Sequence, residues 1–200
     1  MKKLINISTK TGDTGQTDLL GGWRLSKDSL VIEAIGGVDE LNSWLGLVIV
    51  VMKRKHRAQK NQLINIQRDL FDLGADLAES AKNRIQKTDL TQIKKTKFKQ
   101  SALICLEETA NKLQQSLAEN WPAKFVLPGG TELGARLDVA RTVCRRVERK
   151  VVGFQAKAKQ SSTLRSLDPG WLKYLNRLSD YLFVLRCHVN HKMKYQEKRY

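Results

Sequence analysis

The stretch FVLPGGTELGARLDVARTVCRRVERKVVG, residues 125–153, decides the fold and carries the chain's most unusual charge pattern. After a Pro-Gly-Gly turn, apolar side chains recur every three or four positions, which predicts a long amphipathic helix. Arg141, Arg145 and Arg149 are spaced four residues apart and therefore stack along one helix face. Like charges at this spacing oppose helix formation by roughly a few tenths of a kcal/mol per pair. The pattern predicts an anionic partner, either a carboxylate of another helix or a polyphosphate, with a solvated basic face as the alternative.

Four further segments show the same helical period, at 31–52, 63–77, 98–113 and 175–189. In the third, the apolar seam is predicted to be Phe98, Ala102, Cys105, Thr109 and Leu113. That helix is expected to end near Trp121-Pro122, and Asp168-Pro169 is expected to start the last one. Because β-strand signals are nearly absent, the sequence predicts an all-α protein, a bundle of five amphipathic helices.

Most of the excess positive charge lies between and after these helices. Net charge is +16, so an anionic partner must be considered. Residues 53–60, 79–97 and 155–166 are predicted to be basic or polar connections, and the basic tail 191–200 is expected to fray. These basic segments form no groove-reading motif, and among them only the tail contains aromatic side chains, Tyr195 and Tyr200, so specific nucleic-acid binding is not expected.

Residues 7–28 are crowded with Gly, Thr, Asp and Lys and show no helical period, which predicts a loop. Gly12 and Gly15 permit close backbone approach, and threonine hydroxyls and lysines supply donors and charge. Together these groups are suited to cradle a phosphate. The spacing matches neither GxxxxGK[ST] nor GxGxxG, so neither standard mechanism applies. A flexible N-terminal loop is the alternative interpretation.

Several classes of site and location are disfavoured. The three cysteines, Cys105, Cys144 and Cys187, form no CxxC pair and are predicted to be reduced core residues of a cytoplasmic protein. Residues 1–15 contain lysines but no apolar core, so they are not expected to act as a signal peptide. The most apolar run, 45–52, is too short to cross a bilayer. No Ser-His-Asp, Cys-His or paired-carboxylate constellation stands out. The histidines are poorly placed for metal binding, so no metal ligand is assigned.

Seven motifs along the chain point to a known family. They are TKTGDTGQT at 9–17, Lys27 within RLSKD, AIGGVDELNSWLG at 34–46, QRDLFDLGADLA at 67–78, FVLPGG at 125–130, ARTVCRRVER at 140–149 and YLNRLSDYLFVL at 174–185. In this order they resemble the propanediol-utilisation type of ATP:cob(I)alamin adenosyltransferase over residues 7–190. Each motif alone is moderately specific, whereas seven in register are highly specific.

The resemblance implies a ferritin-like, up-and-down five-helix bundle that assembles as a homotrimer. It also implies a single domain over 1–200, with an ATP-wrapping loop at 1–28, the bundle at 29–192 and a basic tail at 193–200. ATP and cobalamin would lie between adjacent subunits.

Site residues follow from the same resemblance. The implied ATP-binding residues are Thr9, Lys10, Thr11, Gly12, Thr17, Asp18, Lys27, Arg145, Arg146, Val147, Glu148, Arg149 and Asn176. Arg141 would pair with Asp39 across the subunit interface. Phe125 would bind cobalamin by packing beside the lower face of the corrin, and Arg145 and Phe125 are the implied catalytic residues.

The implied reaction is attack of the cob(I)alamin cobalt on the 5′ carbon of ATP, which forms adenosylcobalamin and tripolyphosphate. ATP, Mg²⁺ and cobalamin are the expected small molecules. A cob(II)alamin reductase and an adenosylcobalamin-dependent enzyme are the expected protein partners, with no membrane partner. The alternative is a non-catalytic cobalamin or nucleotide carrier of the same fold.

Overall fold

The computed structural model describes residues 10–19, 23–81, 98–117, 125–198 and 200. Five α-helices and one β-hairpin make up this part of the chain. The helices are α1 Leu30–Val51, α2 Arg57–Ser80, α3 Gln100–Gln115, α4 Glu132–Gln160 and α5 Gly170–Lys192, and the strands are β1 Gln16–Leu19 and β2 Trp23–Ser26. The predicted all-α, five-helix class is confirmed.

The helices pack in the spatial order α2, α1, α4, α5 and α3, which places α4 in the middle with α1 and α5 on either side. The predicted seams of α1, α2, α4 and α5 face the core. Leu41, Leu63, Leu137 and Leu182, one from each helix, are all 0% exposed. Burying a side chain of this size contributes about 1.5–3 kcal/mol, so these seams hold the helices together.

Helix α3 differs from its predicted seam. Its buried residues are Leu103, Leu106 and Leu113, whereas Cys105 is exposed. The predicted register was counted from Phe98, which precedes the helix and instead packs its ring edge against Trp171, with centroids 5.0 Å apart. Helix α3 ends at Gln115, before the predicted end at 121–122, which lies outside the described residues, as does most of the predicted linker 79–97.

Helix α4 is longer than predicted. Residues 155–160 were assigned to a loop, yet the helix continues to Gln160 because Phe154 and Ala158 prolong its apolar seam and are buried. At its start, the Thr131 hydroxyl accepts a hydrogen bond from the Gly134 N–H at 3.1 Å and caps the helix. The start of α5 matches its prediction closely, since the Asp168 carboxylate accepts from the Gly170 N–H at 2.8 Å.

The N-terminal region contains regular structure where a loop was predicted. Strands β1 and β2 pair antiparallel, with Gln16 opposite Ser26. In β1, half-buried Thr17 and Leu19 alternate with exposed Gln16 and Asp18, which is the two-residue period of a strand. Four polar-rich residues per strand were too short a signal to find from the sequence.

The C-terminal tail does not fray. The Leu127 N–H donates to the Lys198 carbonyl at 2.8 Å, and the Tyr200 N–H donates to the Phe125 carbonyl at 3.0 Å. These two bonds lay the tail along the segment 125–127 that precedes α4. The prediction of a fraying end was wrong because the tail contains Glu197, which pairs with the buried Arg186 of α5 at 2.7 Å.

Helix α1 is long and apolar enough, by length and composition alone, to cross a membrane. Its apolar length is therefore greater than the run 45–52 suggested. Eight of its residues are buried against the rest of the bundle, among them Ala34, Leu41 and Leu45. A core helix that packs against two neighbours needs this composition.

Candidate functional site

One face of α4 carries exposed cations. Arg145 and Arg149 lie one turn apart and are exposed, and among the described residues neither has an ion pair. The neighbouring Arg146 differs because it pairs with Glu40 of α1. Two like charges one turn apart destabilise the helix slightly, and Glu148, three residues after Arg145, offsets only part of this repulsion. This face is therefore an electropositive surface suited to an anion.

A polar bridge between α4 and α5 adjoins these arginines. Asn176 Nδ2 donates to Glu148 Oε1 at 3.2 Å, so two residues that were predicted to share a site do meet. Arg177, which the sequence did not single out, donates to Asn176 Oδ1 at 2.9 Å and pairs with Glu107 of α3 at 3.1 Å. The bridge therefore fixes the Glu148 carboxylate beside the exposed arginines.

Val147 lies on the opposite side of the same helix turn. Its side chain is 0% exposed and belongs to the hydrophobic core. One residue along a helix is a rotation of about 100°, so this side chain points away from the neighbouring arginines. The ATP-binding role of Val147 stays a prediction.

The N-terminal region gathers a second group of predicted residues. Lys27 Nζ donates to the Gly12 carbonyl at 2.8 Å. Arg24, which the sequence analysis missed, donates to the Thr11 carbonyl and pairs with Asp18 at 3.5 Å. The Thr11 hydroxyl also lies 3.5 Å from an Asp18 carboxylate oxygen. These contacts hold the turn against the hairpin.

The backbone of this turn is tightly bent. Lys10 has a φ of 58° and Gly15 a φ of 80°, so both occupy the left-handed region, which costs little for glycine but is unusual for lysine. Thr17, by contrast, lines a groove of about 570 Å³ between the hairpin and helices α1 and α2. Thr9 lies outside the described residues.

The two groups of cationic residues are separate within one chain. In the described residues, no hydrogen bond or ion pair of Lys10, Gly12, Thr17, Asp18 or Lys27 reaches an arginine of α4. The structure thus brings Thr11 to Asp18, Lys27 to Gly12 and Glu148 to Asn176, but it does not join the two groups.

Asp39 and Arg141, the predicted interface pair, do not meet within one chain either. Asp39 is exposed on α1, and among the described residues it forms no ion pair. Arg141 is partly buried, with its Nε 3.3 Å from the Asp138 carboxylate and its guanidinium 6.0 Å from the ring centroid of Phe183. On α1 it is the neighbouring Glu40, not Asp39, that pairs with an α4 arginine, Arg146. The intersubunit pair stays a prediction.

Phe125 is 86% exposed, an unusual position for a large aromatic side chain. The loop that follows it is tightly held: Gly129 and Gly130 have φ values of 121° and 103°, and the Gly129 N–H donates to the Asp138 carboxylate at 2.8 Å. Arg186 donates to the carbonyl of Leu127 at 2.8 Å. An exposed ring at the start of a tightly held loop is suited to contact a flat apolar ligand.

Arg186 and Asn190 were not identified from the sequence. Both are 0% exposed, although they lie on the most apolar helix. The sequence signal that could have identified them is their spacing of one helical turn within an apolar helix, which indicates two buried polar side chains on one face. Burial acts to lower the pKa of Arg186, but its hydrogen bond to Glu197 and the charges of Asp138 and Glu197 outweigh it, so the pKa is raised. The guanidinium is permanently charged.

No activated nucleophile or base is present beside the arginines in the residues described. Burial raises the pKa of the Cys144 thiol, with the Glu148 charge adding to the effect, so this thiol stays neutral. Within these same residues, no cluster of three or more histidine, cysteine or acidic side chains could hold a metal ion. The arrangement is suited to bind and stabilise anions through fixed cations.

Comparison with known proteins agrees with this geometry. The profile described as "Cobalamin adenosyltransferase" matches residues 7–189. The corrinoid adenosyltransferase of Bacillus subtilis is 37% identical over 188 residues, covering 93% of this chain and 87% of its own. The human corrinoid adenosyltransferase MMAB is 34% identical over 198 residues, covering 99% of this chain and 74% of its own.

Solved structures of a PduO-type ATP:corrinoid adenosyltransferase from Lactobacillus reuteri share the fold. A phenylalanine-to-alanine variant, complexed with cobalamin and ATP, has a TM-score of 0.82 and 35% identity, covering 98% of this chain and 99% of its own. An arginine-to-lysine variant, complexed with ATP, has a TM-score of 0.79 and 36% identity with the same coverage. Because the family profile and the curated relatives both span nearly the whole sequence, the chain belongs to the cobalamin adenosyltransferase family.

Proposed function

We propose that this chain transfers the 5′-deoxyadenosyl group of ATP to cob(I)alamin, forming adenosylcobalamin and releasing tripolyphosphate. The observation that carries the proposal is the pair of exposed arginines, Arg145 and Arg149, beside the fixed Glu148–Asn176 bridge in a chain of this family. A polyphosphate supplies several anionic oxygens along its length, which suits guanidinium groups spaced one helical turn apart.

The chemistry needs charge stabilisation rather than proton transfer. The cobalt of cob(I)alamin carries no proton, so its attack on the 5′ carbon requires no general base. The cobalt–carbon bond forms as the carbon–oxygen bond breaks, and the electron pair leaves with tripolyphosphate. Arg145 and Arg149 stabilise the charge that develops on this leaving group, and the absence of an activated base beside them in the described residues is consistent with this role.

Mg²⁺ is part of the proposal. The ion binds ATP phosphates and retains several waters, so it needs few protein ligands. Glu148 fits this requirement, since it stands between Arg145 and Arg149 in the sequence of α4 and, among the described residues, its carboxylate accepts a hydrogen bond from Asn176 alone. It would hold the ion through one oxygen or through water, and the ion would neutralise part of the triphosphate charge.

The N-terminal turn would hold the ATP of a neighbouring copy. Lys10, Thr11 and Gly12 lie in the turn, and Asp18 of β1 and Lys27 after β2 contact it. Among the described residues, the hydrogen bond of Lys27 stays within this N-terminal region and does not reach α4. We propose that the turn of one subunit faces the arginines of the next in a homotrimer.

Exposed apolar side chains support this assembly. On α1, Leu47 and Val50 are 44% and 78% exposed, and Val139 of α4 is 37% exposed. Surface apolar residues on both helices are suited to an interface between copies. The same interface would bring Asp39 of one subunit to Arg141 of another.

Phe125 would pack against the lower face of the corrin, excluding water and a lower axial ligand. A cob(II)alamin without that ligand is easier to reduce to cob(I)alamin, so the ring would favour formation of the nucleophile. The Lactobacillus reuteri variants support these two roles, because their substituted phenylalanine and arginine have the same separation in sequence as Phe125 and Arg145.

The cellular setting follows from the chemistry. A one-electron donor must reduce cob(II)alamin, and an adenosylcobalamin-dependent enzyme must use the product, so both are proposed partners. Cys105, Cys144 and Cys187 are free thiols, which is consistent with a cytoplasmic location. No membrane or specific nucleic-acid partner is proposed.

Arg145→Ala tests the site. Turnover should fall by about 100-fold or more, and the thermal midpoint should stay unchanged because the residue is exposed and unpaired in the described structure. The control is Arg68→Ala, which removes an exposed arginine of α2 that bonds, within the described residues, Asn65 alone and should retain normal turnover. Equal activities in the two variants would contradict the assigned role, and a wild-type protein that binds both ligands without product would favour the carrier alternative.

A further inference from the structure

A buried arginine connects the C-terminal tail to the loop after Phe125. The Arg186 side chain is 1% exposed, so its charge must be compensated within the protein. It pairs with Asp138 of α4 at 3.1 Å and with Glu197 of the tail at 2.7 Å. Its Nη2 donates to the carbonyls of Leu127 at 2.8 Å and Gly129 at 3.3 Å. One side chain thus contacts α4, the tail and the loop.

Asn190, one turn further along α5, makes the same connection a second time. Its Nδ2 donates to Glu197 at 3.0 Å and to the Gly129 carbonyl at 3.1 Å. Its Oδ1 accepts from the Thr131 N–H and hydroxyl at 3.1 and 2.8 Å. Glu197 therefore binds both Arg186 and Asn190, the two buried residues whose side chains donate to the loop after Phe125.

The tail also contacts the loop through its backbone. On either side of Val126, the Phe125 carbonyl accepts from Tyr200 and the Leu127 N–H donates to Lys198. Within the described part of the chain, the bond from Tyr200 is the hydrogen bond that the Phe125 main chain makes, so the tail contacts this residue directly. The anchor of the tail is Glu197, because it is the acid that meets the buried Arg186.

We propose that Glu197 is a positioning residue for the reaction. It binds Arg186 and Asn190, which anchors the C-terminal tail, and the tail in turn holds the backbone of Phe125 in place. The inference rests on the proposed role of Phe125 at the corrin and extends it to residues outside the ATP and corrin contacts. Loss of Glu197 leaves Arg186 paired with Asp138, so the bundle keeps its buried ion pair. The exposed Phe125 ring, however, loses its fixed position.

Such a role predicts a selective defect. Misplacement of a contacting group by about 1 Å can reduce the rate by up to about 100-fold. The affected steps are those that use Phe125, namely cobalamin binding and formation of four-coordinate cob(II)alamin. ATP binding depends on Arg145 and Arg149, which lie further along α4 and do not contact the tail in the described residues. It should be unchanged.

The test compares Glu197→Ala, Glu197→Gln and the control Glu108→Ala, which removes an exposed acid of α3. We expect kcat/KM for cob(I)alamin to fall by about 10- to 100-fold in Glu197→Ala, with a smaller four-coordinate cob(II)alamin signal and an ATP Kd within about twofold. Glu197→Gln should recover most of the loss, because its amide oxygen can still accept from Arg186 and Asn190. Glu108→Ala should match the wild type.

Amide hydrogen exchange supplies a readout that needs no turnover. Exchange at Leu127 and Tyr200 should be faster in Glu197→Ala than in the control, because their N–H groups bond across the tail. Unchanged exchange, or equal losses of ATP and cobalamin binding, would overturn the inference. A wild-type protein that forms no adenosylcobalamin would instead refute the proposed function, and the exchange comparison would still decide whether Glu197 anchors the tail.

Discussion

Gly134, in the first turn of α4, should not tolerate even a methyl group. A Cβ built on this residue would lie 2.3 Å from Asn190 Oδ1, much closer than real contacts allow. Asn190 cannot move away without loss, because that oxygen accepts from Thr131 and its amide donates to Gly129. Gly134→Ala must therefore displace either the start of α4 or the buried amide that supports the loop after Phe125.

The net effect combines three terms. Alanine in place of glycine favours a helix by about 1 kcal/mol. Overpacking a tight site costs about 1–3 kcal/mol, and each buried polar group left without its partner costs about 1–3 kcal/mol. We expect Gly134→Ala to lower the free energy of unfolding by about 2–4 kcal/mol, which corresponds to a fall in Tm of roughly 10 °C for a chain of this length.

The matched control is Gly153→Ala on the same helix. Gly153 is exposed, and a Cβ there would meet nothing within 4 Å, so only the helix preference remains. This variant should be more stable than the wild type by up to about 1 kcal/mol. Urea and thermal unfolding should be followed by circular dichroism at one protein concentration, because association shifts the midpoint. A Gly134→Ala midpoint equal to or above that of Gly153→Ala would refute the reasoning.

Three other changes test separate parts of the account. Asp39→Asn should weaken self-association by roughly 10-fold, about 1.4 kcal/mol, in sedimentation; an unchanged dissociation constant would contradict the interface role. Glu40→Gln removes the exposed ion pair with Arg146 and should change the free energy of unfolding by less than about 1 kcal/mol, a limit that urea titration can check. Burial lowers the pKa of His188, with Lys192 adding to the effect, so the unfolded chain binds a proton first as the pH falls. Stability is therefore present above about pH 6.5 and lost from there toward the lowered pKa of the folded state. His188→Gln should flatten the plot of the free energy of unfolding against pH below about pH 6.5. An equal slope in the variant and the wild type would contradict the role of His188.

The fold could be predicted because four of the five helices have an uninterrupted apolar seam. Leu175, Leu178 and Leu182 illustrate it, since each is buried where the spacing placed it. Helix α3 is the shortest helix described, and apolar residues on either side of its seam allow two registers. Only packing against α5 selects Leu106 over Cys105.

The site was predictable where it is local. Residues 145–149 are adjacent on one helix, and a single motif contains most of residues 9–18. The sequence could therefore indicate both the arginine group of α4 and the N-terminal group. Glu148 and Asn176 belong to separate motifs, so only the family resemblance could predict that they share a site, where the structure shows them in contact. Neighbouring positions were harder to separate: Val147 faces the core, and Glu40 rather than Asp39 meets an arginine within the chain. Rotation of about 100° per residue decides these cases.

The support beneath Phe125 could not be predicted from local pattern. Glu197 stands among cations in a tail that has no helical period, and its partner Arg186 is a lone charge in an apolar helix. Their pairing depends on where the tail turns back after α5, and long-range closure of this kind leaves no periodic signal.

A single-turnover experiment tests the central claim most directly. Purified protein is mixed with ATP, Mg²⁺ and chemically reduced cob(I)alamin, and the corrin spectrum and the phosphate products are followed together. The account predicts a Co–C bond in adenosylcobalamin with one tripolyphosphate released for each molecule formed. Consumption of ATP to other phosphate products, or cobalamin that binds without gaining the adenosyl group, would contradict it.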